Sequence, residues 1–426
     1  MSEVKTMKDF WAPDCKTVFV FGAGMEMGKD IGLCSADDLP ASVIQYATGK
    51  GCKVSDKVKK NFKKADSFET LISKRIDGLF CNDDKLKNRN KNISKYSGSE
   101  ISKLFLKFQS LAESLRSGGD LQVTLEKLQE QLQVTFPIDG DLCQFLDTEK
   151  IAFSYNWKKL IEFLINQYLK GCDRYTEDDK SCIRELVKSI IDYDSLLTDN
   201  YIGFYSGNKS AKSRYLYLSW ILWCFLADKD KSVNVEDTIY AKALNYTNNL
   251  TSIITMNYST VIDRILKQNN RFNEIIHFHG DLAHSINKKR EENEISDYES
   301  QDLIALLDNI YDGCKDEEDY PIPSMMPPLD IKPLISNKYL ERWVKAKNII
   351  DEADRIVVVG YSFSKKDDHF NDMLFNANPR KVKKIVIVRK DFKEDDQIDL
   401  KKRFSPAMKD KVEMISKTAE EFFAEG

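Results

Sequence analysis

Short runs of apolar and β-branched residues gather at the two ends of the chain. "TVFVF" (17–21) stands near the N-terminus. Beyond residue 250 come "SIITM" (252–256), "EIIHFH" (274–279), "RIVVVG" (355–360), "KIVIVR" (384–389) and "KVEMI" (411–415). These runs are apolar on both faces, the pattern of parallel strands covered by helices. Helical spacing separates several of them. In "YLERWVKAKNIIDEA" (339–353), Leu340, Trp343, Ala346, Ile349 and Ile350 fall on one stripe. The ends therefore predict one split α/β domain with a Rossmann-like parallel sheet, over residues 1–52 and 246–426.

The middle, 53–245, has helical periodicity almost throughout. Leu104, Phe108, Leu111 and Leu115 share one face of 103–115, and Leu121, Leu125, Leu128 and Leu132 share one face of 121–132. The segment 157–169 adds a third amphipathic stretch, and no fixed-period repeat is visible. A helical insertion into the α/β domain is the simplest reading. "YLYLSWILWCFLA" (215–227) is shorter than the roughly 20 residues of a membrane span. It predicts a buried helix or an oligomer contact. The charged and proline-rich stretches 284–302 and 314–333 read as loops around a short helix at 302–311, and 84–98 as a further loop.

Composition changes this picture little. A net charge of −4, with 42% hydrophobic and 31% charged residues, describes an ordinary globular protein and argues for neither nucleic acid nor membrane as a partner of the whole chain. Residues 50–107 are locally basic, and offer a patch for nucleic acid or an acidic partner, or only solvated helix faces. The nine cysteines form no C-x-x-C pair, so zinc-ribbon spacing is absent and no metal is expected. An odd cysteine count and the lack of a signal-type segment point to reduced thiols and a cytoplasmic protein.

Ligands of doubly wound sheets bind beyond the carboxyl ends of the strands. There the chain places Gly22-Ala23-Gly24 and Met25, then Asn257-Tyr258-Ser259, then His279-Gly280-Asp281, then Gly360-Tyr361-Ser362. Each piece alone has a plain structural explanation. The glycines suit a tight turn, and Asn257 could cap the following helix. His277 reads as buried structure, and His284 and His369 as surface residues. His279 sits where an imidazole can act as a base. Together the four strand ends deliver glycine turns, an amide, an imidazole and hydroxyls to one crevice.

This ordered series, G-A-G, T-M-N-Y (255–258), H-F-H-G (277–280) and V-G-Y-S-F-S-K-K-D (359–367), resembles the sirtuin superfamily, and most of all the sirtuin-like proteins of bacterial antiphage defence. The motifs cover the split domain, and the helical insertion carries none. The resemblance implies dinucleotide phosphates against Gly22, Ala23, Gly24 and Met25, and the adenosine half near Gly360, Tyr361 and Ser362. It implies contacts from Asn257, with Tyr258 beside it, to the nicotinamide ribose and the attacking water. His279 becomes the base. Without a zinc module the implied reaction is hydrolysis of NAD+ to ADP-ribose and nicotinamide. Alternatives are a protein deacylase or ADP-ribosyltransferase, or a non-catalytic subunit that binds NAD or ADP-ribose within a defence complex. An unregulated NAD hydrolase would poison its cell. Control is expected from homo-oligomerisation, or from a partner ATPase or translocase, an Argonaute-like protein or a phage component.

Two positions depart from the family pattern. Where relatives carry a small hydroxyl after the G-A-G turn, this chain has Met25-Glu26, and where they carry aspartate after N-Y it has Ser259. A carboxylate beside a pyrophosphate weakens binding unless it points away or pairs with Lys29. Glu26 is therefore expected to hold the free protein in a weakly binding state, which Glu26→Ser would relieve.

Overall fold

In a computed structural model the described residues are 6–48 apart from 29 and 34–38, isolated positions between 53 and 184, and 209–424 apart from 272, 296, 313, 315–319, 328–331, 333 and 391. The expected helices at 103–115 and 121–132, most of 157–169, the loop 84–98 and nearly all of the basic stretch lie outside them. The chain divides into two compact units, Met1–Ala36 with Tyr215–Gly426, and Asp37–Arg214. In the second unit a helix α1 spans Leu39–Thr48, and Val43, Val58, Ile165, Leu169 and Ile183 are buried.

The first unit is built on a six-stranded parallel sheet: β1 (Thr17–Phe21), β2 (Thr251–Thr255), β3 (Glu274–His277), β7 (Arg355–Val359), β8 (Lys384–Arg389) and β9 (Val412–Ser416). Their order, β3-β2-β1-β7-β8-β9, is the doubly wound Rossmann-like arrangement in which the chain steps outward on either side of the first strand. All five residues of β1 are buried, as the two-sided apolar run requires. Phe19 and Phe21 point to the same face as Val357, Val359, Val386 and Val388. That face is covered by α3 (Ile239–Ala243), α4 (Val261–Gln268) and the C-terminal helix with Phe422 and Phe423.

Helix α2 (Lys209–Asp230) contains the apolar run 215–227, whose residues are nearly all buried. Its indoles are anchored, with Trp220 Nε1 donating to Pro321 O and Trp223 Nε1 to Leu282 O, both at 2.9 Å. Among the described residues no helix is long and apolar enough to cross a membrane. Helix α6 (Asn337–Glu352) forms where its pattern predicts, opened by Ser336, whose hydroxyl accepts from Lys338 N. Its buried stripe is Tyr339, Trp343, Ala346 and Ile350, whereas Leu340 is exposed.

The expected loops 284–302 and 314–333 need correction. They contain an antiparallel sheet ordered β5-β4-β6, from β4 (Gly280–Ile286), β5 (Glu292–Glu294) and β6 (Ile322–Met325), with α5 (Leu303–Asp312) between β5 and β6. Pro323 is tolerated because β6 is an edge strand, and the charges are consumed internally. Arg342 of α6 lies 2.8 Å from Glu292 and 3.3 Å from Asp281, and His284 lies 2.6 Å from Asp281. The third strand is also shorter than predicted: β3 stops at His277, and His279 lies in the turn that reverses the chain into β4.

Candidate functional site

The strand order reverses between β1 and β7, and there the two glycine turns meet backbone to backbone. Gly22 N donates to Val359 O (3.0 Å) and Gly24 N to Gly360 O (2.8 Å). A Cβ on Gly22 would lie 2.5 Å from Tyr361 Cα, and one on Gly360, at φ +68°, would lie 2.7 Å from Met25 N. Glycine at these positions is required by the mutual approach of the turns, before any ligand is considered. The G-A-G turn itself is one turn of 3₁₀ helix, Ala23–Met25, with Gly24 exposed and Ala23 half-buried. The amides of Gly24, Met25 and Glu26 are spent on Gly360 O, Gly22 O and Ala23 O, so the turn is held by its own hydrogen bonds.

The Met25 side chain is buried in the core, and so is Tyr361, whose hydroxyl donates to Asn371 Oδ1 at 2.9 Å. Both positions can offer only backbone to the crevice. Ser362 is exposed, and the Tyr258 hydroxyl donates to the Met326 carbonyl.

Asn257, 8% exposed, does not cap α4, whose N-cap is Thr260. Its Nδ2 donates to Gly22 O and to the Tyr240 hydroxyl, each at 3.1 Å. Both amide protons are thus committed to the fold, and Oδ1 is the atom left to accept a hydrogen bond from a water or a ribose hydroxyl. Tyr240 donates onward to Glu26 Oε1 at 2.8 Å, and Ser259 Oγ donates to the same oxygen.

Glu26 therefore does not face a pyrophosphate. It is buried under the turn, and burial pushes its carboxyl up to about 7 despite the two hydroxyls that favour its charge. Glu26 thus points away from the crevice, the arrangement in which a carboxylate after the turn does not oppose a pyrophosphate. The two positions at which the sequence departs from the motif pattern, Glu26 and Ser259, are hydrogen-bonded to each other. Lys29, the other candidate partner for Glu26, lies outside the described residues.

The two histidines of H-F-H have opposite electrostatics. His277 is buried, with Nε2 2.9 Å from Asp263 Oδ2 and Nδ1 3.2 Å from Asn257 O. Burial disfavours its charge, yet Asp263 outweighs burial and holds its pKa at about 9. His279 is 6% exposed, and burial holds its pKa below the ordinary value, against the pull of Asp367. Burial thus favours the neutral imidazole, the form a base needs.

His279 Nε2 lies 3.2 Å from Asp367 Oδ1, out of line for a hydrogen bond, so this buried nitrogen has no aligned partner among the described residues. Such an orphaned polar atom at a strand end fits a ligand hydroxyl. Lys332 Nζ reaches the same Asp367 oxygen at 3.0 Å. Burial opposes the charge of Asp367, but His279 and Lys332 hold its carboxyl well below the usual range.

The structure thus joins Gly22, Gly24, Asn257, Gly360 and Tyr361 through direct contacts, and sets His279 against Asp367 at the end of the G-Y-S segment. Sequence reasoning missed Tyr240, Lys332 and Asp367 as site residues. Asp367 closes the V-G-Y-S-F-S-K-K-D run and carried a visible signal. Tyr240 lay in the region assigned to the insertion, and nothing in its neighbourhood marked it.

No protein-family model and no curated protein sequence matches this chain. Solved structures that are similar to it are Sir2 proteins. Sir2 in complex with the inhibitor EX-527, 2'-O-acetyl-ADP-ribose and a deacetylated p53 peptide matches at 16% identity over 43% of this chain and 66% of that one, with a TM-score of 0.28. A Sir2 mutant with p53 peptide and NAD matches at 15% identity over the same shares, with a TM-score of 0.28. A triple mutant of a Sir2 homologue with 2'-O-acetyl ADP ribose matches at 16% identity over 47% of this chain and 70% of that one, with a TM-score of 0.30. The chain spans just under two thirds (66%) of the length of the first two. An overlap this partial carries no inference of its own, and the functional reading rests on the strand ends.

Proposed function

We propose that the protein is an NAD+ hydrolase that releases nicotinamide and ADP-ribose, and that it serves as a regulated, NAD-depleting effector of antiphage defence. The observation that carries this reading is the pairing, at adjacent strand ends, of an amide whose oxygen alone remains available and an imidazole whose charge burial disfavours. Breaking the nicotinamide–ribose bond builds positive charge on the sugar. The site must then hold the ribose, place a water and accept a proton. In this scheme Asn257 Oδ1 accepts from the water or a ribose hydroxyl, His279 takes the proton, and the phosphates lie against the Gly22-Ala23-Gly24 turn. His277, charged and tied to Asn257 O, is unsuited to be the base and holds the β2 end in place.

Activation by oligomerisation, or by a partner ATPase, Argonaute-like protein or phage component, belongs to the same proposal. A second reading, a subunit that binds NAD or ADP-ribose without cleaving it, is favoured by one observation: His279 Nε2 is buried against Asp367. The test is nicotinamide release from NAD+ by the purified protein, alone and with candidate partners. Release that disappears in Asn257→Ala and His279→Ala supports hydrolysis. Tight NAD binding with no release under any condition supports the second reading.

A further inference from the structure

Behind Asn257 runs a chain of donors that all point toward one buried carboxylate. Asn257 Nδ2 donates a hydrogen bond to Tyr240 Oη, Tyr240 donates one to Glu26 Oε1, and Ser259 Oγ donates one to the same oxygen. The direction of this chain matters, because the two ends of an amide are nearly equal in size and only the surrounding donors and acceptors decide which faces where. A tyrosine hydroxyl can both donate and accept. With its proton claimed by Glu26 it presents lone pairs to Asn257, and the amide must answer with N–H. The Gly22 carbonyl fixes the second N–H. From this geometry we infer that Glu26 is a positioning residue which, acting through Tyr240, holds the Asn257 amide with its oxygen turned to the substrate.

This inference rests on the hydrolase reading of the same site. It also reverses the expectation for Glu26→Ser, which should lower activity, not raise it. Burial supports the assignment. Glu26, Tyr240 and Ser259 are all enclosed, so water is poorly placed to replace a lost member of the chain. Tyr240 is held independently by its ring, which packs edge-on against Phe21 with centroids 5.4 Å apart. Removing the hydroxyl therefore leaves the aromatic packing in place.

The test compares Tyr240→Phe, Glu26→Gln and the double variant in the full-length protein, with a melting curve to establish folding. A misoriented catalytic group loses on the order of 10- to 100-fold in kcat while binding contacts elsewhere keep KM within about threefold. That is the expected result for Tyr240→Phe, whereas Glu26→Gln keeps a carbonyl acceptor for Tyr240 and should lose less. Because Glu26 acts through Tyr240, the double variant should be no slower than Tyr240→Phe alone. Should Glu26→Gln not fold, Tyr240→Phe carries the comparison. The side-chain amide resonances of Asn257, followed by selective asparagine labelling, give a readout that needs no turnover. Both protons should be protected from exchange in the wild type, and one should lose protection in Tyr240→Phe. A Tyr240→Phe variant with wild-type kcat, or losses that add in the double variant, would overturn the inference. Absence of nicotinamide release from the wild type would instead remove the hydrolase reading, and the amide resonances would still report on the chain itself.

Discussion

The two halves of the site are built alike and charged differently. On the β2 side Asn257 is backed by Glu26, which follows the first glycine turn. On the β3 side His279 is backed by Asp367, which follows the second. Each turn thus sends a carboxylate to a functional group at another strand end, Glu26 to that of the adjacent β2 and Asp367 across to that of β3. Among the described residues Glu26 hydrogen-bonds to the hydroxyls of Tyr240 and Ser259, and burial lifts its pKa to about 7. Asp367 meets the Lys332 ammonium as well as His279, and stays ionised below the usual carboxylate range. The lesson is that a buried acid takes its charge state from the nearest cation. One fold can therefore hold an amide through neutral hydroxyls and an imidazole through an ion pair.

The largest effects should separate these halves from the rest of the protein. Asn257→Ala and His279→Ala should each lower nicotinamide release by about 10²- to 10⁴-fold, the range for loss of a positioned acid–base or polarising group. Unchanged release in either variant breaks the assignment of its half. Gly360→Ala strikes where the turns abut. A Cβ there meets Met25 N at 2.7 Å on a residue at φ +68°. The expected cost is about 2–4 kcal/mol of stability, read from chemical unfolding, since strain and overpacking combine. A neutral result would show that the turns can separate without loss.

Asp367→Asn should sharpen the β3 half. It removes the charge that supports imidazolium and leaves Lys332 beside His279, so the His279 pKa falls further. We expect kcat to fall by about tenfold, with the acid limb of the pH profile moving to lower pH. A shift to higher pH would contradict the arrangement.

The smallest effect lies on β3 itself. The His277 pKa is raised from 6.5 to about 9, so its contribution is fully present below 6.5 and is lost as pH rises through 9. Wild-type stability should decline across that window. Asp263→Asn should be less stable by about 1–2 kcal/mol at pH 6.5 and nearly flat above it. A parallel decline in the variant would rule out the pair as its source.

The strands of the parallel sheet were readable because a strand covered on both faces must be apolar throughout, as Phe19, Val357 and Val386 are. The antiparallel sheet was not. Its strands carry charge and proline, and their polar residues are satisfied by Arg342 some 50 residues downstream from Glu292, a pairing no local window contains. Leu340 was placed on the buried stripe of α6 by periodicity, and is exposed because the helix turns Tyr339 inward instead.

The site divides in the same way. Residue type and order along the chain were enough to nominate Gly22, Asn257, His279 and Gly360, since strand ends of a doubly wound sheet converge whatever else the chain does. What they left open was the meaning of Glu26. A carboxylate after a glycine turn is equally consistent with an obstruction and with a support, because its effect depends on the atoms within hydrogen-bond reach. Only the tertiary structure brings Tyr240 and Ser259, more than 200 residues away, to that carboxylate. Likewise only the folded chain sets burial against ion pairing at each acid and imidazole, and that balance raises the pKa of His277 and lowers that of His279 two residues on.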